Sequence, residues 1–188
     1  MRLGFVFLLI FAIFCGCAHN IDKSDFQTVS IVVHARSEHD VKKILPILLR
    51  HSEPVLLDAR IKLEIIEIRY EIPELDVTFS DLDKFADFDD GNIHVFFVHE
   101  YRKSLSNKFA GIQYSKNWTP CAPQIILITD KTSWTTLAHE IGHFFGLDHS
   151  SDLDNIMHSG NRSKNADFND SQIARMHHMI NRRNRCRY

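Results

Sequence analysis

Residues 138–150 have the sequence AHEIGHFFGLDHS, which carries more information about fold and chemistry than any other part of the chain. His139 and His143 are four residues apart, so on a helix both imidazoles lie on one face and can reach the same metal ion. A continuing helix cannot bring a third histidine to that ion. Glycine, however, accepts the left-handed backbone that ends a helix. A turn at Gly146 would therefore return His149 to the metal.

Three neutral imidazoles with an open fourth position are typical of catalytic zinc. Glu140 is adjacent to His139, at the side of the ligand face, where its carboxylate can approach water beside the metal without binding the ion. Because bound zinc makes such water more acidic, Glu140 could take the proton and deliver it to a leaving amine. The alternative is that the histidines are core residues and Glu140 is a surface charge, but apolar residues would be less costly to bury.

Five apolar or alternating segments predict strands around this motif. The second of them alternates apolar and polar residues but slips once at Ile65-Ile66, which indicates a bulge. The fourth is short and more polar, as an edge strand would be. The segments are TVSIVVHA (28–35), IKLEIIEIRYE (61–71), NIHVFFVHEY (92–101), AGIQYS (110–115) and QIILITD (124–130).

The helix signals fit between and after these strands. Ser37 can cap a helix that begins after the first strand. Asn169 and Gln172 have the spacing of a capping box, which predicts a last helix over about 170–184. The sequence therefore predicts an α/β (α+β) fold. We expect a twisted five-stranded sheet with two long helices packed on it, followed by a smaller C-terminal part.

The pattern H-E-x-x-H-x-x-G-x-x-H resembles that of the metzincin zinc peptidases. The stretch DNIMHSG (154–160) matches the methionine turn of that superfamily, and the resemblance implies that Met157 forms a hydrophobic floor beneath the metal. Asp148 and Ser150, on either side of the last histidine, are similar to the matrixin branch. The stretch 116–123 is more similar to the adamalysin branch. The resemblance implies a metzincin-like zincin fold with a mixed sheet.

The N-terminal residues predict a leader. Arg2 precedes an apolar run over 5–14, which is too short to span a bilayer and fits a secretory signal. The residues before Cys17 resemble a lipobox, although Phe14 replaces the usual leucine. We expect cleavage before Cys17 and lipidation of that cysteine, or ordinary cleavage and secretion. The expected organisation is a signal peptide over 1–17, a tether over 18–26 and a catalytic domain over 27–188.

Cys121 and Cys186 are an even pair in a chain expected to be exported, so a disulfide between them is plausible. Two unpaired thiols are the alternative. The acidic stretch 87–91 could hold calcium, although it matches no complete loop pattern and a solvated turn also explains it. With 22 basic and 24 acidic residues, the chain carries a net charge of -2, which argues against a nucleic-acid binder.

The sequence thus predicts an exported zinc endopeptidase that acts on protein or peptide substrates as a monomer, with a lipid tether to a membrane as an option. The competing hypothesis is a zinc-binding surface or adhesion module that keeps the fold and has lost turnover. The presence of Glu140 argues against that second hypothesis, because a module without turnover has no need of a base.

Overall fold

The computed structural model describes residues 26–70, 91–98, 110–115, 121–122, 124–129, 135–160 and 165–187. Within these ranges, the chain forms one five-stranded sheet accompanied by three α-helices. This architecture confirms the predicted α/β class. The elements in chain order are β1 (Gln27–His34), α1 (Glu38–Asp58), β2 (Ile61–Arg69), β3 (Ile93–Val98), β4 (Gly111–Ser115), β5 (Gln124–Thr129), α2 (Thr136–Phe144), α3 (Asp170–Asn184) and a 3-10 turn (Arg185–Arg187).

The strand order in the sheet is β2-β1-β3-β5-β4. The first four strands in this order pair in parallel, and β4 pairs with β5 in the antiparallel direction. All residues of β3 and β5 are buried, as expected for central strands with continuous apolar sequence. Among the strands that the structure describes, the more polar β4 is terminal, which agrees with the predicted edge position, and the sheet is mixed.

The slip in the apolar pattern of β2 corresponds to a bulge. Ile31 of β1 lies opposite Ile65, but the next residue, Val32, lies opposite Glu67, so that Ile66 has no partner across the ladder. An extra residue of this kind changes the face on which the following side chains lie. The predicted bulge is therefore confirmed, and it leaves the Ile66 side chain 49% exposed.

The helices share one buried core with the sheet. Ser37 caps α1, and its hydroxyl accepts a hydrogen bond from the Asp40 amide. Near the other end of α1, the buried Ser52 hydroxyl accepts a hydrogen bond from the backbone amide of Ala138 at 3.2 Å. That amide lies in the first turn of α2, where a helix leaves its N–H groups without internal partners. Ser52 therefore fixes the start of α2 against α1.

Several sequence-based expectations fall outside the described residues. These are the leader over 1–17, most of the tether over 18–26, and all of the acidic stretch 87–91 except Gly91. Within the described ranges, none of the helices has both the length and the apolar character needed to cross a bilayer.

Candidate metal centre

Helix α2 is followed by a sharp turn of the backbone at Gly146, as the sequence predicts. Gly146 adopts a φ of +79°, in the left-handed region that glycine tolerates better than any other residue. Its amide donates to the carbonyl of His143 at 2.8 Å, and the Leu147 amide donates to the carbonyl of Gly142 at 3.0 Å. These two bonds occupy carbonyls at the helix end and reverse the chain, so that His149 comes back towards α2.

The three histidines converge on one point. The Nε2 atom of His143 lies 3.1 Å from Nε2 of His139 and 3.1 Å from Nε2 of His149. Nitrogen ligands about 2.0–2.1 Å from a tetrahedral zinc are separated from one another by about 3.3 Å. The spacing in this structure therefore fits a single zinc ion held by all three imidazoles, and these side chains form a group able to hold a metal.

The tautomers of two ligands support the same conclusion. Nδ1 of His139 is 2.8 Å from the Ile156 carbonyl oxygen, and Nδ1 of His143 is 2.7 Å from the Leu147 carbonyl oxygen. Carbonyls only accept, so each Nδ1 must carry the proton and each neutral ring presents an Nε2 lone pair to the centre. Lone pairs at this distance repel unless a cation lies between them. The donor set therefore matches zinc and its preference for imidazole nitrogen.

Met157 lies directly under α2. It is fully buried, and its sulfur contacts the position where a side chain would begin at Gly142. A Cβ built at Gly142 would also lie 3.2 Å from Met157 Cε and 3.2 Å from a ring carbon of Phe168. The helix can approach the methionine turn this closely only because residue 142 is glycine. The spacing of the zinc motif did not single out this glycine.

Glu140 faces the edge strand. The residue is 5% exposed, and its side chain packs against Gly111 at the start of β4. A Cβ built at Gly111 would lie 2.9 Å from both Cγ and Oε1 of Glu140, and 2.7 Å from Cγ2 of Thr136. The carboxylate is thus held between the metal helix and the strand at the edge of the sheet. Sequence spacing did not indicate this contact, because it joins residues from two distant elements.

The remaining predicted site residues fall into two groups. Cys121 and Cys186 form a disulfide, with their Cα atoms 5.5 Å apart, which joins the segment before β5 to the end of α3. Cys17 lies outside the described residues. The disulfide involves no residue of the zinc motif.

The sheet, the three-histidine centre at a glycine turn and the buried methionine below it together define a zinc-dependent peptidase of the metzincin type. The sequence agrees with this class, since the model of the matrixin family matches residues 31–178, a range that contains the three histidines and Met157. The chain belongs to the matrixin family. The predicted superfamily and the predicted zinc cofactor are therefore confirmed.

Two solved structures align with the chain at low sequence identity. Archaemetzincin from Methanopyrus kandleri superimposes with a TM-score of 0.53 at 15% identity, covering 82% of this chain and 96% of that one. A zinc-dependent peptidase from Methanocorpusculum labreanum gives a TM-score of 0.49 at 15% identity, covering 78% of this chain and 99% of that one. The first comparison confirms the metzincin-like fold. A search of curated proteins finds no significant match.

Proposed function

We propose that the chain is a zinc endopeptidase in which His139, His143 and His149 hold the ion and Glu140 is the general base. The observation that carries this proposal is the convergence of three imidazole nitrogens on one point, next to the buried carboxylate of Glu140. A metal centre with three protein ligands leaves a position for chemistry, whereas structural zinc sites are closed by a fourth protein ligand.

Within this mechanism the protein orients groups and moves one proton. Zinc, when bound, lowers the pKa of a water ligand and polarises the carbonyl that is attacked. The Glu140 carboxylate takes the proton from the attacking water and passes it to the leaving nitrogen. The carbonyls of Ile156 and Leu147 hold two of the imidazoles in the required tautomer. Contact with Gly111 restricts the Glu140 side chain, so the base is already oriented when substrate arrives.

Strand β4 suggests how a peptide would bind. It is the terminal strand of the sheet formed by the described residues, and its first residue contacts Glu140. An extended peptide could pair with β4 through main-chain hydrogen bonds. Such a peptide would run past the base in both directions, so cleavage within a chain is expected rather than removal of a terminal residue.

The test compares zinc content and peptide cleavage in the wild type, Glu140→Ala and Glu140→Gln. Both variants should bind zinc as the wild type does and lose at least about a hundredfold in kcat/KM on a mixed peptide library. Glu53→Gln, a change at an exposed position of α1, is the control and should cleave normally.

Equal cleavage by the wild type and both Glu140 variants would eliminate the proposed base. A wild type that is fully loaded with zinc and cleaves nothing would favour the competing function, a zinc-binding surface or adhesion module without turnover.

We further propose that the catalytic domain over 27–188 is exported and acts as a monomer on protein substrates. The support is the basic Arg2, the apolar run over 5–14 and the lipobox-like residues before Cys17. Lipid on Cys17 would tether the enzyme to a membrane through the segment 18–26. Removal of the signal peptide without lipidation would release the enzyme from the cell instead.

A further inference from the structure

Two amide side chains join the methionine turn to the first turn of α3. Asn155 Nδ2 donates to Gln172 Oε1 at 2.8 Å, and Gln172 Nε2 donates in return to Asn155 Oδ1 at 3.1 Å. Asn155 is only 4% exposed. The two bonds are part-buried, and the Asn155 end is buried, so loss of Gln172 leaves the buried Asn155 side-chain nitrogen without this acceptor.

The orientation of both amides is determined by their other partners. Asn155 Oδ1 also accepts from the backbone amide of Met157 at 2.9 Å, and a backbone amide can only donate. Gln172 Oε1 also accepts from the backbone amide of Asn169 at 3.0 Å, within the capping box of α3. Neither side chain can rotate by half a turn without placing a donor against a donor.

The loop held by this amide pair contacts the metal ligands. Ile156, between Asn155 and Met157, provides the carbonyl that accepts the Nδ1 proton of His139. The carbonyl of Met157 accepts from the backbone amide of Ser150 at 2.9 Å, directly after His149. Groups that bind the outer nitrogen of a ligating histidine orient its ring, and their loss typically weakens metal binding about 10–100-fold.

We infer that Asn155 and Gln172 are positioning residues for the zinc ion. The pair fixes the methionine turn against α3, and the turn in turn orients His139 and the segment around His149. Gln172 therefore acts on zinc affinity through Asn155, although it belongs to the last helix. The inference rests on the three-histidine zinc centre and is independent of the role of Glu140 in catalysis.

Three variants separate the amide pair from the helix cap. Gln172→Ala removes the pair and one half of the capping box. Asn169→Ala removes the side chain that accepts a hydrogen bond from the backbone amide of Gln172. It leaves the side-chain pair of Asn155 and Gln172 in place. Gln172→Glu keeps an acceptor for the cap but places a carboxylate oxygen opposite Asn155 Oδ1. If Asn155 rotates to relieve that repulsion, its NH₂ group meets the N–H of Met157.

The measurements are the zinc dissociation constant, by competition with a chromophoric chelator, and the thermal stability of the zinc-free protein. Gln172→Ala should weaken zinc binding about 10–100-fold. Gln172→Glu should weaken zinc binding at least about threefold. It keeps the capping box that Gln172→Ala loses, because glutamate is favoured at this position. Asn169→Ala should lower the stability and leave zinc affinity within about twofold. The absorption bands of cobalt-loaded protein should change only in the two Gln172 variants.

Equal zinc affinities in Gln172→Ala and Asn169→Ala would overturn the inference, because helix stability alone would then explain both. Wild-type affinity in Gln172→Glu would also overturn it, and this variant decides the matter if Gln172→Ala does not fold. A wild type that binds zinc but cleaves no peptide would contradict the proposed function and leave this inference intact.

Discussion

Gly111 and Gly142 both lie where a β-carbon would collide with a neighbouring side chain. At Gly142 that neighbour is Met157, under the metal helix, and at Gly111 it includes Glu140, the proposed base. A collision with a flexible carboxylate is resolved by moving the carboxylate. The absence of a side chain at residue 111 therefore determines where the base rests, and a shift of about 1 Å in a catalytic group can cost about a hundredfold in rate.

Gly111→Ala should accordingly lower kcat for peptide cleavage by about 10–100-fold, with little change in KM or zinc affinity. The built Cβ also collides with Cγ2 of Thr136, so some loss of stability is expected as well. The measurement is steady-state kinetics together with a zinc titration and thermal unfolding.

The double variant Gly111→Ala with Thr136→Ser is the control for that experiment. Serine keeps the hydroxyl of residue 136 and removes the methyl group that the new β-carbon would meet. It should restore stability but not kcat, because Glu140 remains displaced. If the double variant recovers full activity, crowding of Thr136 explains the defect and the contact with Glu140 is unimportant.

The strands and helices could be predicted closely because each has a local period or cap. The apolar pattern predicts a first strand over 28–35, which covers Gln27–His34 in the structure, and the capping box predicts a last helix over 170–184, which covers Asp170–Asn184. The three histidines were also found, since their spacing is local. The contact between Gly111 and Glu140 and the bonds between Asn155 and Gln172 could not be found. They join separate elements, so no pattern within one element records them.

The end of α1 brings the negative charge of Asp58 close to Asp167. The sequence pattern does not indicate this repulsion either. Partial desolvation raises the pKa of the Asp167 carboxyl above its ordinary value of 3.8, and the negative charge of Asp58 raises it further. Asp58 is the last residue of α1, where the helix dipole also disfavours an anion. Because the folded protein holds the Asp167 proton more tightly than the unfolded chain, ionisation of Asp167 lowers stability as pH rises from about 3.8 through the folded pKa.

Asp58→Asn should therefore raise Tm at pH 7, by about 1 °C, because exposed charge pairs contribute under about 1 kcal/mol. Most of the gain should disappear near pH 3, where Asp167 is protonated and no longer repels the negative charge removed by the substitution. Thermal unfolding across this pH range checks the expectation. Glu53→Gln removes a negative charge from an exposed position of the same helix, and a similar gain in that variant would show that net charge alone is responsible.

Helix α3 is attached to the rest of the molecule at both ends. Its first turn holds the methionine turn through Gln172, and its last turn is followed by Cys186, which is bonded to Cys121. Near the same end, Arg183 donates to the Ala122 carbonyl at 3.3 Å, and its guanidinium lies 4.4 Å from the centre of the Phe144 ring. The two ends therefore have different roles. The first turn contacts the methionine turn at the metal centre, and the C-terminal end is crosslinked to the segment before β5.

The disulfide should therefore support stability without affecting the metal. It connects residues 65 positions apart, and loops of this length typically gain about 2–4 kcal/mol from a crosslink. The double variant Cys121→Ser with Cys186→Ser should lower Tm by about 5–15 °C. Zinc affinity should stay within about twofold, because Cys186 lies about 20 Å along the helix from Gln172. A reducing agent should lower the Tm of the wild type and leave the double variant unchanged. If the double variant instead loses zinc affinity tenfold, the far end of α3 also shapes the metal centre, and the separation of roles between the two ends is wrong.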